Sequence, residues 1–254
     1  MHPLRFRQIH LDFHTSPNIA GIGERFDKKR WQETLQAAAV DSITLFSKYH
    51  HGLSYHPTSV GKIHPHLNFD LLRMQYDATK EIGLNAPVYL SAGFDQMAAE
   101  MHTDWREINK DGMWISRGPG AFDAGYHFLD FHSPYLDYLC EQIREAVRLF
   151  PDCDGIFLDI ILQNQSCGRW SLEFMKSPGL DPRREEDRKE SSRLAVEKYY
   201  QRTTEAATSR ADGTTFFPMS AIWSSSPFRP VDGDTTIFQC RPSMPTTCHS
   251  SFSA

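Results

Sequence analysis

Asp159 closes an apolar run, Gly155–Ile161 (GIFLDII), and a carboxylate there is costly unless it is hydrogen-bonded or at work. In strand parity Gly155, Phe157 and Asp159 share one face, while Ile156, Leu158 and Ile160 share the other and suit a helix layer. Two further runs end in side chains that can move protons or exchange hydrogen bonds. In Leu4–His14, His10, Asp12 and His14 alternate with Ile9, Leu11 and Phe13. After Asp41–Tyr49 come Lys48, Tyr49, His50, His51 and Gly52. A carboxylate can attack carbon or transfer a proton, and neutral imidazoles both donate and accept, as a ring of hydroxyls requires. Blander readings stand beside these. Asp159 can be a structural residue bonded to a loop, and the strand-one trio a polar plug. His-x-Asp-x-His also offers three metal ligands, but no later strand end supplies a His pair, so neither metal nor cofactor is expected.

Elements that could hold these residues follow from periodicity. Helical spacing over Asp27–Val40 (Trp31, Leu35, Ala38) and from the N-cap Asp70 to Gly83 separates the strand-like runs 4–14, 41–49 and 85–93. Ser133-Pro134 opens a helix whose Leu136, Leu139, Cys140, Ile143, Ala146, Val147 and Phe150 form one stripe ended by Pro151. A charged linker, DPRREEDRKE, precedes a helix over about Ser191–Arg210, and TTFFPMSAIW reads as a fifth strand. Strand–helix–strand repetition predicts an α/β fold with a parallel sheet of (β/α)8 TIM-barrel type, incomplete, with about five strands. A doubly wound sheet is disfavoured because no Gly-rich loop follows the first strand and polar residues collect at several strand ends.

Phe94–His132 is a long insertion with a turn at Lys110-Asp111-Gly112 and a loop at Gly118-Pro119-Gly120. Its Trp105, Trp114 and Tyr126 can stack on a sugar ring or pack within the insertion, and its Glu100, Glu107 and Asp123 are spare carboxyl groups. His56, His64 and His66 read as solvated loop residues. Residues 1–222 form the expected partial barrel, and 223–254, rich in Ser, Thr and Pro with little periodicity, an irregular or disordered, aberrant tail.

The chain has 254 residues, 40% hydrophobic and 23% charged, with 27 Lys and Arg against 32 Asp and Glu, a net charge of −5. No basic stripe stands out, which argues against nucleic acid and anionic membranes as partners. The N-terminus lacks a signal-peptide pattern and no apolar run reaches the ~18–20 residues that cross a bilayer, so a cytoplasmic protein is expected. Five cysteines without a CxxC pair read as reduced thiols, with no partner base for thiol chemistry. Twelve His and 12% aromatics suit a carbohydrate partner.

ITLFSKYHHGLSYHPTS resembles the Lys-His-His-Asp-Gly-Phe stretch of family 29 α-L-fucosidases. DLLRMQYDATKEIGLNAPVYLSAG resembles the helix and strand that follow it there, and PYLDYLCEQIREAVRLFPDCDGIFLDI is similar to their helix and Trp-Phe-Asp-Gly strand. The opening LDFHTSP is closer still to a related group of hypothetical glycosyl hydrolases, and the likeness spans about residues 4–222. The resemblance implies that Asp159 is the nucleophile and that His14 and His50 contact sugar hydroxyls, with Lys48 and Gly52 also matching. Tyr49 stands where the family has its first His, His51 where it has Asp, and Phe157-Leu158-Asp159-Ile160 replaces Trp-Phe-Asp-Gly, which bears on fucose more than on a sugar as such.

The implied reaction is retaining glycoside hydrolysis, in which a second carboxyl group roughly 5–5.5 Å from the nucleophile protonates the leaving oxygen. Substrate contacts are expected from His10, Asp12, His14, Lys48, Tyr49, His50, His51, Trp105 and Trp114. A sugar-binding fragment without the acid is the rival reading, and a metal-dependent barrel hydrolase using His10, Asp12 and His14 a third. A barrel open at its fifth strand exposes an edge that invites association between copies.

Overall fold

A computed structural model describes residues 7–118 and 125–208, together with the backbone of 218–219 and 235–240. In chain order its elements are β1 (Gln8–His10), α1 (Lys28–Ala37), β2 (Ser42–Lys48), β3 (Leu53–Ser54), β4 (Lys62–Ile63), α2 (Leu71–Glu81) and β5 (Val88–Ser91). Then come α3 (Gln96–Met101), β6 (Ser116–Arg117), β7 (Tyr126–His127), α4 (Tyr135–Leu149), β8 (Ile156–Asp159), α5 (Arg169–Lys176), α6 (Glu185–Thr208), β9 (Pro218–Met219) and β10 (Thr235–Cys240). The strands β1, β2, β5 and β8 pair in that order, all parallel, with helices in the crossovers. This is the predicted β/α succession, in which chain neighbours become sheet neighbours. The described strands do not close a barrel.

Helix starts follow side-chain chemistry. Asp27, Asp70 and Asp95 each accept from the backbone N–H three residues on, at 2.7, 2.8 and 2.8 Å, and so cap α1, α2 and α3. The outer sheet face carries Ile43, Leu45, Val88, Leu90, Ile156 and Leu158 against α1, α2, α4 and α6. The α4 stripe Leu136, Leu139, Cys140, Ile143, Ala146 and Val147 is buried there as its spacing predicts. On the other face one aromatic ring per strand lies in register. Phe46 pairs with Tyr89 and Tyr89 with Phe157, the rings stacking at 4.2 and 5.6 Å.

Several expectations are corrected. The first strand is shorter than its alternating pattern: pairing ends at His10, Leu11 is exposed, and Phe13 turns to Tyr55 at 4.9 Å. The charged linker is largely helix, since α6 starts at Glu185, where Glu185, Glu186 and Asp187 favour the positive end of the helix dipole. His56 and His64 are buried, the first beside Ser47 Oγ at 2.8 Å and the second beside the Ser16 carbonyl at 3.0 Å. Most of the predicted fifth strand lies outside the described residues; within it Pro218–Met219 pairs antiparallel with β10, which pairs antiparallel with β8. Of segment 223–254, only the backbone of β10 is described, and the rest of the expected irregular tail lies outside the described residues.

Candidate active site

Asp159 ends β8 on the aromatic side of the sheet. The Tyr89 hydroxyl donates to its Oδ2 at 2.8 Å, and the Ile160 N–H donates to its Oδ1 at 2.9 Å. Burial, then the carboxylate charge, push the Tyr89 phenol well above its ordinary range, so it stays a donor. His10 lies over the same aromatics, 5.1 Å from Phe157, 5.2 Å from Phe46 and 5.5 Å from Tyr89. The parity reading of Phe157 and Asp159 holds. Ile160 departs from it: the chain turns at φ 58°, and Ile160 packs with Phe94 and Phe128 instead of the outer core.

The histidine cluster stands beside this carboxylate across one strand. Ser91 is the Cα partner of Asp159 in the β5–β8 ladder, and its hydroxyl meets His50 Nδ1 at 2.7 Å. Because Ser91 Oγ donates to the Phe94 carbonyl at 2.8 Å, the network assigns the proton to His50 Nδ1 and leaves Nε2 as acceptor. Burial, helped by the nearby His14 and Lys48, lowers the His50 pKa to about 3, so the ring is neutral at physiological pH. His14 lies 4.8 Å from His50 and 4.3 Å from Tyr49, ring to ring, and forms a close contact with Asp12. Tyr126, from β7, meets the Tyr49 hydroxyl at 3.0 Å and His51 Nε2 at 3.3 Å. Burial also lowers the pKa of His51. Imidazoles and phenols at one strand-end mouth, those of His50 and His51 kept neutral by burial, are suited to sugar hydroxyls.

Lys48 does not join them, which corrects its expected role as a substrate contact. Register shifts between Phe46 and Lys48, so Lys48 pairs with Leu90 and faces the helices. Its ammonium lies 2.9 Å from Asp95 Oδ2 with both side chains fully buried. Burial lowers the Lys48 pKa, against the pull of Asp95. The pair anchors the histidine loop: Asp95 caps α3, and the Gln96 and Met97 N–H groups donate to the carbonyls of His50 and His51 at 3.0 and 3.1 Å. Gly52, at φ 81°, admits this carboxylate; a Cβ there would lie 2.0 Å from Asp95 Oδ1.

Trp105 is also corrected. It stacks on His102 at 3.8 Å and packs on the outer core near Tyr135 and Tyr138. Trp114 is exposed, backed by the Arg106 guanidinium at 4.3 Å and edged by His127 at 5.6 Å. Of the spare carboxyl groups, Glu100 is exposed on α3, and Asp123 lies outside the described residues. Glu107 is fully buried, taking the Asn164 N–H at 2.9 Å and amide at 2.5 Å; burial and the Asp130 charge still push its pKa up to about 8. Among the described residues no three His, Cys, Asp or Glu side chains are grouped to hold a metal ion, and no helix is long and apolar enough to cross a membrane. Sequence reasoning missed Tyr89 and Ser91, whose only signal was their place in the strand that separates the two clusters.

The sequence profile of the hypothetical glycosyl hydrolase 6 family matches residues 27–160, more than half of the chain. The chain belongs to this glycosyl hydrolase family. Its fold is similar to that of α-L-fucosidase isoenzyme 2 from Paenibacillus thiaminolyticus, with 42% identity and a TM-score of 0.76 over 80% of this chain and 31% of that one. The chain thus spans about a third of that protein's length. A weaker likeness is to a family 29 α-L-fucosidase from Bacteroides thetaiotaomicron, at 18% identity, TM-score 0.41, 60% of this chain and 31% of the other. The comparison with curated proteins gives no match.

Proposed function

We propose that this site hydrolyses an α-L-fucoside or a closely related glycoside with retention of configuration, Asp159 acting as nucleophile. An Asp159 oxygen attacks the anomeric carbon and the bond to the leaving oxygen breaks, that oxygen taking a proton from a second carboxyl group. Water then opens the glycosyl ester, losing a proton to the second carboxylate and releasing the sugar and the Asp159 carboxylate. His14 and His50 are the sugar-hydroxyl contacts, flanked by His10, Asp12, Tyr49 and His51, with Trp114 an exposed aromatic for a ring farther out. The observation that carries this reading is the Asp159 carboxylate on the inner face of the sheet, one ladder pair from the serine that orients His50. The 42% identical relative, named as an α-L-fucosidase, supports the sugar class.

The test is turnover of an aryl α-L-fucoside, with an aryl α-galactoside as control. Asp159→Asn should abolish it while L-fucose binding stays measurable by calorimetry; undiminished turnover rejects Asp159 as nucleophile. A second reading, sugar binding without hydrolysis, is favoured by Glu107, whose burial against Asn164 removes it as an acid at the mouth. Fucose-induced thermal stabilisation with no turnover by the unmodified chain would select it.

A further inference from the structure

We propose that Ile160 is a positioning residue for Asp159, a backbone lock that sets the carboxylate and ties it to the wall carrying Tyr126. The inference rests on the glycosidase reading for its kinetic consequence and on geometry alone for the lock. Ile160 holds φ 58°, a left-handed conformation that a β-branched side chain rarely adopts. The turn directs its N–H onto Asp159 Oδ1 at 2.9 Å. The surroundings enforce that turn from both sides. Gly93 lies against the Ile160 carbonyl so closely that a Cβ there would stand 2.1 Å from the oxygen. The Ile160 side chain is 5% exposed and is wedged against Phe94 and Phe128, with Tyr126 packed on the same cluster. Tyr126 in turn meets Tyr49 and His51. One residue therefore links the attacking carboxylate to the phenol–imidazole wall, and a glycine would keep the turn without the wedge.

The test compares Ile160→Val, which retains the branch and most of the wedge, with Ile160→Gly and Ile160→Asn, which ease the left-handed turn and remove the wedge. The substrate-free readout is hydrogen exchange of the residue-160 amide, with the Leu90 and Leu158 amides as global controls. Val should keep protection, whereas Gly and Asn should lose at least tenfold at residue 160 while the controls hold. With an aryl α-L-fucoside, Val should stay within threefold of the unmodified kcat, and Gly and Asn should lose tenfold or more in kcat with KM within threefold. Either Gly or Asn folding with unchanged kcat and local protection would overturn the lock. If neither folds, an Ile160→Val chain that loses the residue-160 protection overturns it and one that keeps it supports it. Should the unmodified chain turn over no glycoside, the functional reading fails, and the amide measurements still decide the lock.

Discussion

Lys48 and Asp159 each end a parallel strand, are separated by β5 alone, and are both charged, yet they face opposite ways. Asp159 keeps the strand alternation and reaches the aromatic side beside Tyr89, the ring that His10 edges. Lys48 follows a break in register and is sealed among the helices with Asp95, 5.9 Å from the Tyr135 ring. A charge at a strand end is therefore no sign of a site until its face is known. The first can do chemistry; the second holds the loop through which His50 and His51 arrive.

The sharpest way to break this contrast is to exchange the effects. Asp159→Asn should cost at least about 10³-fold in turnover of an aryl α-L-fucoside. Melting should shift little, because the amide oxygen can still take the Ile160 N–H while the amide NH2 donates to the Tyr89 hydroxyl. A variant that melts far lower without losing turnover would make Asp159 the structural charge. Lys48→Met should do the reverse, leaving a buried unpaired carboxylate at a cost of about 3–5 kcal/mol. For a domain of this size that is a fall in Tm of about 6–20 °C by calorimetry. Lys48→Met with Asp95→Leu removes both charges and should recover part of the loss. If the double variant melts no higher than the single one, the pair is not what the loss reports.

Glu107 sharpens the contrast through pH. Its pKa, raised from 4.5 to about 8, means that the folded chain binds more protons than the unfolded one between those values. Its contribution to stability is thus present at low pH and is lost as pH rises through about 8. His50 runs oppositely: with a folded value near 3 against an ordinary 6.5, the unfolded chain takes up the proton first, and stability falls as pH drops from 6.5 towards 3. Melting should therefore peak near pH 5–6.5. Glu107→Gln should flatten the alkaline side, recovering roughly 4 °C or more at pH 8. An unchanged alkaline slope would remove Glu107 as its source.

Much of this contrast was legible in the residues. Period two placed Phe157 and Asp159 together, and helical spacing gave the buried stripe of α4, because both patterns are local and repeat. Lys48 was misread because one register shift, which leaves no mark in SITLFSK, turns it to the face opposite Phe46. Ile160 was misread for a related reason, since its left-handed turn is imposed by Gly93 and the Phe94–Phe128 wedge and contradicts its own preference. Tyr89 sat unnoticed in NAPVYLSAG as another apolar strand residue. Only the pairing of β5 with β8, a contact between distant segments, makes it the donor to Asp159.

That donor gives the finest test of the inward face. Tyr89→Phe removes one hydroxyl and leaves a ring of nearly the same shape between Phe46 and Phe157, so the aromatic row should persist. The lost hydrogen bond to a charged acceptor is worth about 1.5–3 kcal/mol where it is made. Part of that returns as water or a sugar hydroxyl takes the phenol's place at a half-buried carboxylate, leaving a decrease of about threefold to tenfold in kcat. KM should stay within about threefold, because the phenol orients the carboxylate rather than the ring hydroxyls. If instead KM rises and kcat holds, Tyr89 contacts the sugar and Oδ2 is not the oxygen it serves.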